Sequence, residues 1–245
     1  MERGEAGCLV TVIASGEPGV SVGAKVLVTG GAVAAGTLGS PERDREALAI
    51  AREALRTRKR TTVSIGSGVR VFVDPMEGEV RVLICGAGHI AVPLARFCRE
   101  AGFAVTVLDD RPEFAHPDRF PGCQVLAEPF VPTLRSLALG PFVYTVVITR
   151  GHEHDLDCLR EILPKPTAYV GLIGSRRRVG FVLDQLEKHG VPRARLDQVF
   201  TPIGIPIGAE SPEEIALSIA AEIVGVRRKG EARARALRRA GGMDR

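Results

Sequence analysis

Short, continuous apolar runs alternate with stretches of helical periodicity over most of the chain after residue 79. Strands buried in a parallel sheet are apolar throughout, whereas surface helices repeat apolar positions every three or four residues. The alternation therefore predicts an α/β domain with a doubly wound parallel sheet. Its predicted strands are 82–85, 104–108, 124–126, 144–149 and 168–173, and its predicted helices are a stretch ending at 101, 155–163, 176–189 and one starting at 212.

The first 78 residues have shorter apolar runs and more glycine turns, which predicts a small α+β module. Residues 74–78, Asp-Pro-Met-Glu-Gly, have the composition of a linker, so we place a domain boundary there. The predicted domains are the module at 1–78, the α/β domain at 79–230 and a basic tail at 231–245. The module's predicted strands are 8–15, 24–29, 33–39, 61–65 and 69–73, with one helix at 42–57.

Residues 80–110 form the strongest motif in the chain. An apolar strand leads into Gly86-Ala87-Gly88-His89-Ile90-Ala91, then a helix, then a second strand that ends at Asp109-Asp110. This order is typical of a Rossmann βαβ unit, in which the glycines let the backbone approach a diphosphate at a helix N-terminus. The acid at the end of the second strand is placed to accept hydrogen bonds from a ribose hydroxyl. We predict cofactor contacts from Gly86, Gly88, His89, Ile90, Asp109 and Asp110.

Two further loops follow predicted parallel strands, where open α/β sheets bind ligands. Arg150, His152 and His154 lie in the first, and the open interpretations are ligand contact, a metal site if the segment is extended, or solvated histidines around a helix cap at Asp155. The second loop runs through Gly174, Ser175 and Arg176 into a helix that starts with three arginines, which predicts an anion site. No recognised catalytic or metal-ligand spacing stands out, so we assign no catalytic residue and no metal.

Composition and charge narrow the class of protein. The chain has 245 residues, 45% hydrophobic and 25% charged, as in ordinary globular proteins. Its net charge of +4 comes from residues 227–245, where eight Lys and Arg and two acidic residues give +6, whereas the remaining 226 residues sum to −2. We interpret this tail as a solvated helix end rather than a nucleic-acid site. Without an apolar run long enough for a membrane span or a signal peptide, we expect a cytoplasmic protein with five reduced cysteines and no membrane partner.

These motifs together resemble the XdhC/CoxI family, accessory proteins for molybdenum hydroxylases such as xanthine dehydrogenase. The resemblance covers most of residues 80–228 and parts of the first module. Many members carry a Gly-Gly-Cys-x-Glu element where this chain reads Gly39-Ser40-Pro41-Glu42, without a thiol. The matching segments are 84–91, 108–114, 149–155, 171–176, 201–204 and 211–216.

The resemblance implies a chaperone that binds the molybdenum cofactor, as molybdopterin or its dinucleotide. It also implies help in sulfuration by a cysteine desulfurase and delivery to an apo-hydroxylase. The alternatives are an NAD-dependent oxidoreductase, with Asp109 selecting NAD, and a scaffold that has lost its ligand. We further expect a homodimer, because the small module has strand edges to cover. For the Gly- and Pro-rich segment 201–210, the open interpretations are a rigid connector, a pocket wall or a partner surface.

Overall fold

The computed structural model describes residues 6–57, 59–66, 68–76 and 78–240. The chain divides into two compact units, Met1–Glu79 and Val80–Arg245. None of the helices in the described ranges is long and apolar enough to cross a membrane.

The first unit is a five-stranded antiparallel sheet with one helix. The strand order is β3-β2-β1-β5-β4, so β3 and β4 form its edges. Alternate residues of β1 are buried beneath α1, whose buried face consists of alanines that allow close packing on the sheet. The elements are β1 Gly7–Ser15, β2 Lys25–Thr29, β3 Ala32–Gly36, α1 Pro41–Thr57, β4 Thr61–Ile65 and β5 Val69–Met76.

Two boundaries in this unit differ from the prediction. β5 continues to Met76, pairing Asp74 with Leu9 and Pro75 with Cys8, so the first part of the predicted linker belongs to the sheet. Glu77 lies outside the described residues. β3 ends at Gly36 rather than at residue 39, because the chain turns there with φ +82°.

The second unit is a five-stranded parallel sheet with the order β10-β9-β6-β7-β8. Every residue of β9 and β10 is buried, as their uninterrupted apolar runs predict. The elements are β6 Arg81–Cys85, α2 Ala91–Glu100, β7 Ala104–Asp109, a 3-10 helix Pro117–Arg119, β8 Gln124–Ala127, α3 Phe130–Ser136, β9 Val143–Val147, α4 His152–Ile162, β10 Tyr169–Leu172, α5 Arg176–Lys188, α6 Arg193–Leu196, α7 Pro212–Lys229 and α8 Glu231–Ala240.

Helices cover both faces of this sheet. Val82 and Ile84 of β6 join one buried cluster, which includes residues of α2 and α7. Leu83 and Cys85 join the other, which includes residues of α3, α4 and α5. The predicted fold class, a doubly wound parallel sheet beside a smaller module, is therefore confirmed.

Segments after β10 complete this unit. Phe200 forms a parallel bridge with Gly171, so the chain after α6 covers the edge of the sheet at β10. The predicted capping box at Ser211 and Glu214 is present at the start of α7. Residues of the predicted tail form α8, in which Ala234 is buried and the guanidinium of Arg235 lies 4.1 Å from the ring centre of Phe200. The first part of that tail is thus packed helix.

Candidate functional site

The carboxyl ends of β6 and β9 meet at the point where the strand order reverses. Successive connections from β6 lead to β7 and β8 on one side, whereas β9 and β10 lie on the other side. Open α/β sheets bind their ligands in the crevice at such a switch point. The loops after β6 and β9, which contain Gly86–Ile90 and Arg150, lie at this place.

The two glycines of the loop after β6 serve different purposes. Gly86 has φ +109°, and a Cβ atom there would lie 2.5 Å from the carbonyl oxygen of Ile148. A side chain at Gly86 would therefore separate the two loops of the crevice. A Cβ atom at Gly88 would have no atom within 4 Å, so the backbone there borders open space. Gly88 leaves room for a ligand, whereas Gly86 joins β6 to β9.

Asp109 is buried and its carboxylate already has protein partners. It accepts hydrogen bonds from the backbone N–H of Ala87 at 2.7 Å and from Arg111, whose Nε and Nη2 lie 2.8 and 2.9 Å from it. Burial raises the pKa of Asp109, but these hydrogen bonds outweigh it, so the pKa lies below its ordinary value. The structure thus uses Asp109 to hold the glycine-rich loop against Arg111.

An ion pair joins the loops after β7 and β9. Arg150 donates to both carboxylate oxygens of Asp110, with Nη2 2.9 Å from Oδ2. These hydrogen bonds lower the pKa of Asp110 to about 2. Because β6 lies between β7 and β9, the pair spans the carboxyl end of β6. A guanidinium is therefore held beside the glycine-rich loop.

The segment with the two histidines is helical, so the extended arrangement considered for a metal site does not occur. α4 begins at His152, three residues earlier than predicted, after Gly151 in an extended conformation. The ring centre of His152 lies 5.4 Å from that of Phe181 in α5, and that of His154 lies 5.5 Å from that of Phe130 in α3. The two rings face different neighbouring helices and do not converge on one ligand.

A buried carboxylate links the loop after β9 to the start of α5, which follows the loop after β10. Asp155 is 0% exposed and accepts hydrogen bonds from the hydroxyl of Thr149 at 2.6 Å and from Arg178, whose Nε lies 2.8 Å away. Arg178 also donates to the carbonyl oxygen of Thr149. Burial raises the pKa of Asp155 even though both partners oppose the rise. Arg178 therefore supports the fold of these loops.

The loop after β10 leads into exposed arginines at the start of α5. Ser175 caps the helix by accepting a hydrogen bond from the N–H of Arg178, and Gly174 has φ +152°. Arg176 and Arg177 are exposed, and neither pairs with a carboxylate among the residues that the structure describes. Cations at a helix N-terminus oppose the helix dipole, so an anion would be favourable there.

The remaining predicted residues flank the glycine-rich loop. His89 is exposed, and Ile90 is the half-buried N-cap residue of α2, which has no side-chain cap. Arg111, Arg119 and Arg178 were not among the candidate site residues. Arg119 donates to the carbonyl oxygen of Ala87 at 2.9 Å and so stabilises the glycine-rich loop. In the sequence, Arg111 directly follows the tandem acids Asp109-Asp110, and Arg178 closely follows Gly174, so both arginines could have been identified as candidates. Arg119 has no such signal in the sequence.

Fold and site together define a Rossmann-type α/β protein whose glycine-rich loop and arginines lie at the switch point of the sheet. The chain belongs to the XdhC and CoxI family. Residues 82–223 match the XdhC Rossmann domain, and residues 1–66 match the XdhC and CoxI family domain.

Curated relatives include longer proteins. The uncharacterized protein YqeB of Escherichia coli K12 is 33% identical over 164 residues, which are 66% of this chain and 30% of YqeB. A probable xanthine dehydrogenase subunit of Bacillus subtilis 168 is 34% identical over 160 residues, which are 65% of this chain and 46% of that protein. The matched part thus spans less than half of either relative.

A solved structure shares the fold over almost its full length. A xanthine dehydrogenase from Bacillus halodurans superposes with a TM-score of 0.56 and 20% identity, and the match covers 93% of each chain. At this level of identity the likeness concerns the fold.

Proposed function

We propose that this protein is an accessory factor for a xanthine dehydrogenase-type molybdenum hydroxylase. In this proposal it binds the molybdenum cofactor, aids its sulfuration by a cysteine desulfurase and passes it to the apo-enzyme. Membership in the XdhC and CoxI family supports the role, as does the name of the Bacillus subtilis relative. The observation that carries the binding step is the open space at Gly88, at the switch point of a Rossmann-type sheet.

The residues present fit the phosphate end of such a cofactor. Molybdopterin carries a phosphate and its dinucleotide form a diphosphate, and both need positive charge and room beside the backbone. The loop of Gly86, Gly88, His89 and Ile90 would supply backbone N–H groups at the start of α2. Arg150 would supply the guanidinium N–H groups that its pair with Asp110 leaves available, and the segment Gly174–Arg176 would supply a further guanidinium and backbone donors. The cofactor's own metal chemistry would be used by the recipient hydroxylase.

The arrangement of Asp109 disfavours the alternative of an NAD-dependent oxidoreductase. An NAD site uses the acid at the end of the second strand to accept hydrogen bonds from ribose hydroxyls. Here that carboxylate accepts from Ala87 and Arg111. A ligand of this site would thus be recognised mainly through its phosphate groups.

Contacts with partner proteins would supply an accessible thiol for the metal, which the first unit lacks. Its single cysteine, Cys8, is 0% exposed, and burial raises the pKa of the thiol to about 11. A buried, protonated thiol is a poor metal ligand, because the thiolate is the form that coordinates. We therefore propose that this chain holds the cofactor by its phosphate end.

The homodimer remains part of the proposal, with the exposed edge strand β3 as the natural place for pairing.

Reconstitution of an apo-hydroxylase tests this role. Apo xanthine dehydrogenase is mixed with limiting cofactor, cysteine desulfurase and cysteine, with or without this protein, and urate formation is followed. We expect this protein to raise the yield of active hydroxylase, and Gly88→Ala to remove most of the gain. The matched control is Gly180→Ala, at another glycine with nothing within 4 Å of an added Cβ atom. Equal yields with and without the wild-type protein would refute the role.

A further inference from the structure

A surface pocket of about 370 Å³ lies on the helical layer of the second unit. Its lining comes from α2, from Arg119 at the end of the 3-10 helix, from Phe120, Pro121 and Cys123 after that helix, and from Glu213 at the start of α7. None of the candidate cofactor-binding residues lines it. The pocket is therefore a second place at which this unit could take a ligand.

The pocket has the size and lining of a small-molecule site. Such sites typically enclose roughly 300–1,000 Å³ and combine apolar walls with a few convergent polar groups. Here the apolar wall includes Val92 and Pro93 of α2 together with Phe120, which is 2% exposed. The polar lining is dominated by three arginines, Arg96, Arg99 and Arg119.

The positive charge of this pocket is not neutralised by the protein. Arg96 and Arg99 lie three residues apart on α2, a spacing at which like charges on a helix repel each other. Neither they nor Arg119 pairs with a carboxylate in the described part of the chain. One carboxylate, Glu213, lines the pocket, so the side chains around it carry a net positive charge.

Two of the three guanidiniums are fixed in place by neutral acceptors. Arg99 donates through Nη1 to the carbonyl oxygen of Pro121. Arg119 donates through Nη1 to the carbonyl oxygens of Ala87 and Phe114, at 2.9 and 2.6 Å. Carbonyl groups orient a guanidinium but leave its charge and its remaining N–H donors available. Preorganised donors of this kind lose little side-chain entropy when an anion binds.

We propose that this pocket binds a small organic anion, with a flat apolar body against the wall at Val92 and an acidic group held by Arg96 and Arg99. The ligand class is an aromatic or heterocyclic ring that carries a phosphate, sulfonate or carboxylate. The residues of the glycine-rich loop do not line this site, although Arg119 links the two by its hydrogen bond to Ala87, and the site does not depend on the proposed accessory role.

Cys123 provides a reporter inside the pocket. It is half-buried and lines the pocket, whereas Cys8, Cys85, Cys98 and Cys158 are buried. The test follows alkylation of Cys123 in the full-length protein by N-ethylmaleimide, using peptide mass mapping. The probe is 1-naphthyl phosphate, and its uncharged counterpart is 1-naphthol. At about ten times its dissociation constant, a ligand leaves roughly a tenth of the protein free, so we expect about tenfold slower alkylation with the phosphate.

Substitutions assign the effect to the arginines. Removal of one charge-assisted hydrogen bond in Arg96→Gln should weaken protection by 1-naphthyl phosphate about tenfold. The control, Arg160→Gln, changes an exposed arginine of α4 outside the pocket and should leave protection unchanged. Gly88→Ala should also leave it unchanged, because Gly88 does not line the pocket and an added Cβ atom there has no atom within 4 Å.

Three results would overturn the proposal. The phosphate could fail to protect Cys123, or 1-naphthol could protect it equally well, which would leave only an apolar crevice. Loss of protection in Gly88→Ala, in a variant that remains folded by circular dichroism, would assign the effect to the glycine-rich loop instead.

Discussion

Gly86→Ala and Gly88→Ala are expected to separate the stability of the second unit from the proposed binding of a diphosphate. At Gly86 the added Cβ atom meets the carbonyl oxygen of Ile148 at 2.5 Å, in a backbone conformation that side chains rarely adopt. Steric overlap and backbone strain together should lower the free energy of unfolding by about 3 kcal/mol or more. Urea denaturation of the full chain measures this loss.

At Gly88 the added Cβ atom meets nothing in the protein, so the free energy of unfolding should stay within about 0.5 kcal/mol of wild type. The methyl group instead occupies space beside the backbone N–H groups that would hold a diphosphate. We expect the affinity for CDP, used as a diphosphate probe, to fall at least about tenfold. Calorimetric titration measures that change. Unaltered CDP affinity in Gly88→Ala would show that the ligand does not approach this loop.

Arg178→Ala is expected to destabilise the second unit by about 3 kcal/mol, because it leaves the fully buried carboxylate of Asp155 without its charged partner. The matched control is Arg177→Ala at the adjacent residue, which is exposed and has no carboxylate partner among the described residues. Its effect should stay within about 0.5 kcal/mol. Equal denaturation midpoints for the two variants would contradict the structural role of Arg178.

The loss in free energy of unfolding caused by Arg178→Ala should depend on pH. Arg178 lowers the pKa of Asp155, which burial raises, so its removal should raise that pKa further. A carboxyl group with a raised folded-state pKa destabilises the fold increasingly as the pH rises from its unfolded-state pKa to its folded-state pKa. The deficit relative to wild type should therefore be smaller at about pH 5 than at about pH 8. Denaturation curves at both values check the sign.

The sequence predicted the framework of the site well, because the apolar runs and glycines that specify it are local. β6 and β7 begin and end within one residue of the predicted strands. The glycine-rich loop lies at the switch point because parallel connections and strand order follow from alternating strands and helices. The capping box of α7 was similarly visible in four consecutive residues.

Side-chain partners were less predictable, since they depend on how loops fold back in three dimensions. The sequence pattern placed Asp109 at the end of a strand but did not show that Arg111 would return to bind it. The start of α4 was missed, although Glu153 and Asp155 in its first turn are typical of a helix N-terminus. The helices α3 and α6, with 7 and 4 residues, are too short for a clear periodic signal.

In the proposed function, the crevice at the glycine-rich loop holds the phosphate end of the molybdenum cofactor. The most direct test is parallel calorimetric titration of the reduced, full-length protein with isolated molybdenum cofactor, CDP and NAD under anaerobic conditions. We expect a dissociation constant on the order of micromolar for the cofactor or CDP, and much weaker binding of NAD. Preferential binding of NAD would contradict the proposed accessory function and favour an oxidoreductase.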